Sequence, residues 1–135
     1  IEHIGPVLRR HQVDLVLQGH DHAYGRRLLD DEGGHSPVLV SSVAGAKQYR
    51  LSEQARASMD PVAEDTHLYQ VLRISPAQLE YTAYTASGRV YDAFHIQRDG
   101  HGGKQQVEQL QGRIAPRDCS HRRATAKGRQ DRCWE

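Results

Sequence analysis

The apolar positions near the start of the chain recur first at helical spacing and then at strand spacing. Between residues 4 and 11, apolar side chains return every three to four positions, and Pro6 falls in the first turn, where proline is tolerated. This pattern predicts a short amphipathic helix. Residues 13–18 are almost continuously apolar, which indicates a fully buried strand. A strand of this kind, placed directly after a helix, commonly delivers a ligand site at its carboxyl end.

Strand-like alternation returns further along the chain in two groups. The first group is a pair of strands over residues 26–29 and 37–43, which a turn-forming cluster joins into a hairpin. The second group contains three strands, over residues 67–74, 79–86 and 89–96. Strong turn signals separate these three, and Ser87-Gly88 predicts a two-residue hairpin loop. We expect an antiparallel meander with one buried face, in which the tyrosines pack across strands rather than form a stacking surface for nucleic acid.

Residues 47–66 lie between the two groups and lack clear periodicity. Ser52 followed by Glu53 suits a helix start, so one or two helical turns are predicted up to Met59. Loops of this length are often functional. The stretch is therefore either part of a substrate mouth or an ordinary surface loop, with the surface loop slightly preferred.

Composition and charge bound the class of protein. The chain has 135 residues, a net charge of +1 and 37% hydrophobic residues, and no apolar run approaches the roughly 20 residues that cross a bilayer. A nearly neutral chain gives no argument for general attraction to nucleic acid or membrane. Because the apolar content is low and the sequence opens on Ile1 within what reads as a mid-domain helix, we expect part of a larger domain whose other surface is missing.

The composition changes after Arg98. Glycine-rich and then basic pieces follow, which predicts a boundary between a folded region over residues 1–98 and a polar, flexible basic tail over residues 99–135. A weak anionic partner such as nucleic acid is an alternative role for the tail. Cys119 and Cys133 both lie there, and two cysteines are too few to assign a redox compartment or a pairing.

The most informative residues are Gly19-His20-Asp21-His22, directly after the first strand. If the chain stays extended there, His20 and His22 leave on the same side with α-carbons roughly 6 to 7 Å apart. The two imidazoles of such a pair can bind a single metal ion together, or each can bind one of two neighbouring ions. Asp21 then points to the other side, which favours a solvated or supporting carboxylate over a ligand. An incidental loop explains these features equally well.

Residues 13–26 and the helix before them resemble the last metal-binding motif of the calcineurin-like metallophosphoesterases, Gly-His-x-His. The following Ala23-Tyr24-x-Arg26 resembles the branch that contains purple acid phosphatases. The similarity continues through residues 41–49 and 68–71, so the resemblance covers roughly residues 1–98.

This resemblance implies hydrolysis of a phosphate ester by a hydroxide activated at two divalent or mixed-valence ions of Fe, Zn or Mn. It implies that His20 binds the second ion and His22 the first, with Asp21, Tyr24 and Arg26 supporting the ligands or facing the substrate. The implied fold is α+β, the C-terminal portion of a four-layer α/β/β/α sandwich with mostly antiparallel strands and one short helix.

The upstream motifs that supply the other metal ligands in this family are absent from the sequence. We therefore expect the chain alone to lack a stable dinuclear site and to have little or no activity. The expected partners are a phosphate ester and the N-terminal part of the same domain, without a membrane or nucleic acid. The alternative is a non-catalytic β-rich module with an incidental or weak metal-binding His-x-His loop.

Overall fold

A computed structural model describes residues 3–29, 36–42, 44–45, 47–64, 66–98 and 104–108. The helices in these ranges are α1 (Gly5–Arg10) and α2 (Glu53–Ser58). The strands are β1 (Leu15–Gln18), β2 (Tyr24–Leu28), β3 (Val38–Ser41), β4 (Val62–Ala63), β5 (Leu68–Ile74), β6 (Gln78–Thr85), β7 (Val90–Arg98) and β8 (Lys104–Glu108). The described chain is a mixed α+β fold, rich in strands and poor in helix, as predicted at this level. Neither helix is long and apolar enough to span a bilayer.

The first sheet has the strand order β1-β3-β2-β4. Strands β2 and β3 pair antiparallel, which confirms the predicted hairpin partners, and β1 joins β3 in parallel. Because β3 lies between β1 and β2, residues 19–23 must cross the carboxyl end of β3 to connect them. The predicted histidine loop is therefore placed at the carboxyl ends of two parallel neighbours.

Strand β1 is not fully buried, so that prediction is wrong. Its Leu17 is 54% exposed, because β1 lies at the edge of the first sheet. Helix α1, which precedes β1, is also less buried than the sequence predicted. Ile4, directly before α1, and Val7 within it are 56% and 52% exposed, whereas Leu8 of the predicted apolar face is partly buried.

The second sheet is an antiparallel meander in the order β5-β6-β7-β8, and its first three strands are those predicted. The loop between β6 and β7 is longer than the predicted two residues, because β6 ends at Thr85 and β7 begins at Val90. The Gly88 N–H donates to the Thr85 carbonyl at 2.9 Å, and the Thr85 N–H donates to the Arg89 carbonyl at 2.9 Å. Gly88 has φ +81°, the left-handed residue that follows the turn in such a loop.

Strand β8 pairs with β7 and lies on the C-terminal side of the boundary predicted after residue 98. The remainder of the predicted tail, including Cys119 and Cys133, falls outside the described residues.

One apolar core receives side chains from both sheets. Its members are Tyr24, Val38, Val40, Ala63, Leu68, Tyr81, Ala83, Tyr91, Phe94 and Ile96. The aromatic rings pack across strands, as predicted: Tyr81 stacks on Phe94 at 4.7 Å, and Tyr69 stacks on Tyr84 at 5.4 Å. The two sheets are thus held together by a shared apolar core.

Candidate metal-binding site

Residues 19–23 carry both candidate histidines in a sharply bent loop. The loop spans two interstrand spacings, roughly 10 Å, from β1 to β2 across the end of β3. To make this crossing, His20 and His22 adopt left-handed φ values of 88° and 51°. The extended geometry expected from the sequence is therefore wrong, and strand geometry no longer places the two rings on one side. A left-handed residue with a side chain costs about 1–2 kcal/mol and persists only where its surroundings hold it.

His22 is held by the segment that follows β3. Its Nδ1 lies 2.9 Å from the Lys47 carbonyl oxygen, and the Tyr49 N–H donates to the His22 carbonyl at 2.9 Å. A carbonyl oxygen only accepts, so Nδ1 carries the proton and the neutral ring keeps its lone pair on Nε2. Histidines that bind metals are commonly held in this way, with the second ring nitrogen on a backbone carbonyl or a carboxylate.

His20 has the opposite environment. Its side chain is 98% exposed, and its Nδ1 lies 3.6 Å from Asp21 Oδ1, a carboxylate that is 72% exposed. This separation is too long for a hydrogen bond, and an ion pair between solvated groups contributes little. Asp21 is thus a solvated carboxylate beside His20, and the His20 ring is accessible.

A cavity of about 570 Å³ opens beside this loop. His20 and Asp21 line one side, while the other walls come mostly from the chain after β3 and from α2, including Leu51, Ala55 and Met59. Ligand pockets typically have volumes of roughly 300–1,000 Å³ and mainly apolar walls. Part of the stretch over residues 47–66, for which the sequence slightly preferred an ordinary surface loop, therefore forms a wall of the cavity.

The helix that forms this wall is fixed at both ends. The Ala55 N–H donates to Ser52 Oγ at 3.1 Å, which confirms the predicted helix start. Arg56 forms an ion pair with the buried carboxylate of Glu64, and the same carboxylate accepts the Leu51 N–H. A buried glutamate thus ties the helix to the chain on either side of it.

Arg26 points into the core. Its Nε lies 2.8 Å from Asp92 Oδ2 and its Nη2 3.3 Å from Asp92 Oδ1, with the Arg26 residue 2% exposed. The guanidinium therefore does not line the cavity. It supports the loop from the core side, through the strand that begins directly after the loop.

Tyr24 contributes to the cavity wall, but its hydroxyl is engaged in the core. It donates to Asp92 Oδ2 at 2.7 Å and lies 3.4 Å from the Tyr81 hydroxyl. Burial, followed by the neighbouring Tyr81 and Asp92, raises the pKa of Tyr24 well above its ordinary value. Burial also raises the pKa of Tyr81. Both hydroxyls stay protonated at neutral pH and act as hydrogen-bonding groups rather than as acids or bases.

The described residues do not assemble a complete metal site. Among them, no group of three or more His, Cys, Asp or Glu side chains is arranged to hold an ion. The sequence interpretation missed Lys47 and Tyr49 as supports of His22, because a backbone carbonyl has no side-chain signature. Asp92 did have a signal: a lone carboxylate in an apolar strand requires a buried partner.

No family model matches the chain, no curated protein matches it, and no solved structure matches it.

Proposed function

We propose that the chain is the C-terminal part of a calcineurin-like metallophosphoesterase of the purple acid phosphatase-like branch, which hydrolyses phosphate esters. The observation that carries this proposal is the loop with His20 and His22 in left-handed conformations, in which the Lys47 carbonyl holds His22 Nδ1 and leaves Nε2 for a metal. Neutral imidazole is a suitable ligand for Zn, Fe or Mn and adds no negative charge.

In this proposal, His20 and His22 would supply two ligands of the larger set that such a centre needs. When bound, the ions supply Lewis acidity that activates a water and neutralises charge on the phosphoryl oxygens. The chain's own contribution is positional: the Lys47 carbonyl fixes the His22 ring, and His20 stands at the cavity. The apolar walls beside His20 can contact the ester group of a substrate and exclude water from it.

Exposed apolar surface supports the proposal that the N-terminal part of the same domain completes the structure. Ile4, Val7 and Leu17 are all more than half exposed, and within the described residues no strand pairs with the outer edge of β1. Unpaired strand edges and apolar surface of this kind are normally covered in soluble proteins. An additional strand at this edge would extend the first sheet, and an additional helix would cover its apolar surface, as the proposed four-layer sandwich requires.

The metal assignment is tested on the 135-residue chain by calorimetric titration with Zn²⁺. We expect weak binding, and we expect His20→Ala and His22→Ala each to lower the affinity by at least about tenfold. His67→Ala is the matched control, because His67 is an exposed histidine outside the loop. Equal affinities in the chain and in both loop variants would contradict the assignment.

The enzymatic part is tested in the coding sequence upstream of Ile1 and in the intact parent protein. We expect Gly-Asp and Gly-Asn-His segments upstream, and their absence would reject the phosphoesterase. In the parent, His20→Ala and His22→Ala should each remove most hydrolysis of an aryl phosphate. Turnover equal to that of the wild type in both variants would refute the two roles.

A non-catalytic β-rich module is the second candidate. It is favoured because, among the described residues, no group of three or more His, Cys, Asp or Glu side chains is arranged to hold an ion. This candidate predicts an intact parent whose phosphate ester hydrolysis, if any, does not change when bound metal is removed by a chelator. Metal-dependent hydrolysis by the parent would exclude it.

A further inference from the structure

The segment from Lys47 to Tyr49 contacts His22 at its ring and at its backbone. Besides the two hydrogen bonds, the Tyr49 ring lies against the imidazole, with centroids 5.0 Å apart and an interplanar angle of 60°. The Lys47 ammonium lies 4.8 Å from the centroid of the same tyrosine ring. The Tyr49 ring thus lies close to both the Lys47 ammonium and the His22 ring.

Core packing does not account for the position of Tyr49. The residue is 46% exposed and does not belong to the apolar core. Its ring lies against the imidazole of a residue whose left-handed backbone needs external support. An aromatic ring in this position restricts rotation of the imidazole about its side-chain torsions, and rotation would break the bond from Nδ1 to the Lys47 carbonyl.

We propose that Tyr49 is a positioning residue for His22. Its ring holds the imidazole so that Nδ1 remains on the Lys47 carbonyl and Nε2 remains available to a metal ion. The metal step rests on the proposed function, whereas the orientation and tautomer of His22 do not. The hydroxyl of Tyr49 has no part in this role, so phenylalanine should replace it.

The experiment compares the 135-residue chain with Tyr49→Phe and Tyr49→Ala. Long-range ¹H–¹⁵N correlation spectra of the histidine rings report which nitrogen carries the proton, without any metal present. We expect the Nδ1–H tautomer of His22 in the wild type and in Tyr49→Phe. In Tyr49→Ala we expect a mixture of both tautomers, because the ring is then free to rotate.

Zn²⁺ titration supplies the second measurement. Loss of a group that orients a metal-binding histidine commonly costs about 10- to 100-fold in affinity. We expect a loss of this size in Tyr49→Ala and a change of less than about twofold in Tyr49→Phe. Tyr69→Ala is the matched control, because Tyr69 is 45% exposed and stacks on Tyr84 rather than on a histidine. Circular dichroism verifies that each variant is folded.

The outcomes separate this inference from the proposed function. An unchanged His22 tautomer in Tyr49→Ala overturns the inference, even if Zn²⁺ binding to His20 and His22 upholds the metal site. A tautomer mixture in Tyr49→Ala, restored in Tyr49→Phe, supports the positioning role. If that result occurs while no form of the chain binds Zn²⁺, the positioning role stands and the proposed metal site fails.

Discussion

Arg26 on β2 and Asp92 on β7 form a buried ion pair that joins the two sheets. The side chains are 3% and 0% exposed, and two contacts of 2.8 and 3.3 Å connect the guanidinium to the two carboxylate oxygens. The Tyr24 hydroxyl donates to the same carboxylate, and the guanidinium carbon lies 5.1 Å from the centroid of the Phe94 ring. A polar contact inside an apolar core therefore fixes how the sheets lie against each other.

Removing one member of this pair should be strongly destabilising. Asp92→Ala leaves the buried guanidinium without its counter-charge, and we expect a loss of about 3–5 kcal/mol in the free energy of unfolding, measured by urea titration. Glu80→Ala is the matched control, because it removes an exposed pair with Arg73 at 3.7 Å. That change should cost less than about 1 kcal/mol. Similar losses in both variants would contradict the structural role of Asp92.

Removing both charges should restore much of the stability. The double variant Arg26→Met/Asp92→Leu buries apolar groups where two desolvated charges stood, an exchange that is often neutral or favourable. We expect its free energy of unfolding to exceed that of Asp92→Ala by at least about 2 kcal/mol. This comparison remains informative if Asp92→Ala does not fold. A double variant less stable than Asp92→Ala would show that the pair is worth more than its desolvation costs.

The strands of the second sheet were predictable because their evidence is local. Alternation over Leu68–Ile74 and the turn residues after it identify a strand and its end without knowledge of the rest of the fold. The exposure of β1 was not predictable in this way. It depends on the placement of β3 between β1 and β2 and on the absence of a described strand at the outer edge of β1, neither of which residues 13–18 encode.

In the candidate site, too, some features have local sequence evidence and others depend on the rest of the fold. The motif identified His20 and His22 as candidate ligands. Their left-handed backbone could not be predicted from it, because that conformation follows from the crossing over β3. The support of His22 by the Lys47 carbonyl depends on the path of a loop 25 positions away. The motif predicted Arg26 to support the ligands or face the substrate, but it could not predict its burial, which depends on the partner Asp92 of the other sheet.

The buried tyrosines should make the fold sensitive to alkaline pH. The pKa values of Tyr24 and Tyr81 are raised in the folded state, whereas in the unfolded chain tyrosine titrates near pH ~10. Their stabilising contribution is therefore complete below about pH 10 and is lost as the pH rises beyond it. In this range, each such group lowers the free energy of unfolding by about 1.4 kcal/mol per pH unit.

This slope can be measured by urea unfolding between about pH 9 and pH 11.5. We expect Tyr24→Phe to be less stable near neutral pH, because it lacks the bond to Asp92, and to lose stability less steeply above about pH 10, because one titrating group is gone. Stability that does not change above about pH 10 in the wild type would contradict the burial of these hydroxyls.

The start of α2 depends on the Ser52 side chain. Its Oγ accepts the Ala55 N–H, and none of the helix residues is buried, so capping has a large share in fixing this short helix. We expect Ser52→Ala to lower the local stability of α2 by about 1 kcal/mol, which hydrogen exchange would report as faster exchange of the helix amides. Ser58→Ala, at the other end of the helix, is the control and should leave exchange nearly unchanged. Equal exchange rates in the two variants would refute the cap.

Gly25 and Met59 form a packing contact next to the candidate site. A β-carbon at position 25 would lie 2.3 Å from Met59 Sδ, so the thioether must move in Gly25→Ala. Met59 is the only methionine of the chain and lines the cavity that His20 also lines, so a single ¹³C-methyl resonance reports on this wall. We expect Gly25→Ala to shift that resonance and to destabilise the fold by about 1–3 kcal/mol through overpacking.

Gly45→Ala is the control for this change, because an added β-carbon at position 45 meets no atom within 4 Å. The methyl resonance should then remain in place. Adding Met59→Ala to Gly25→Ala removes the clash, so the cost of the Gly25 substitution should be smaller in the Met59→Ala background than alone. An unshifted resonance in Gly25→Ala would show that Met59 does not cover Gly25. The cavity wall beside His20 would then be formed differently.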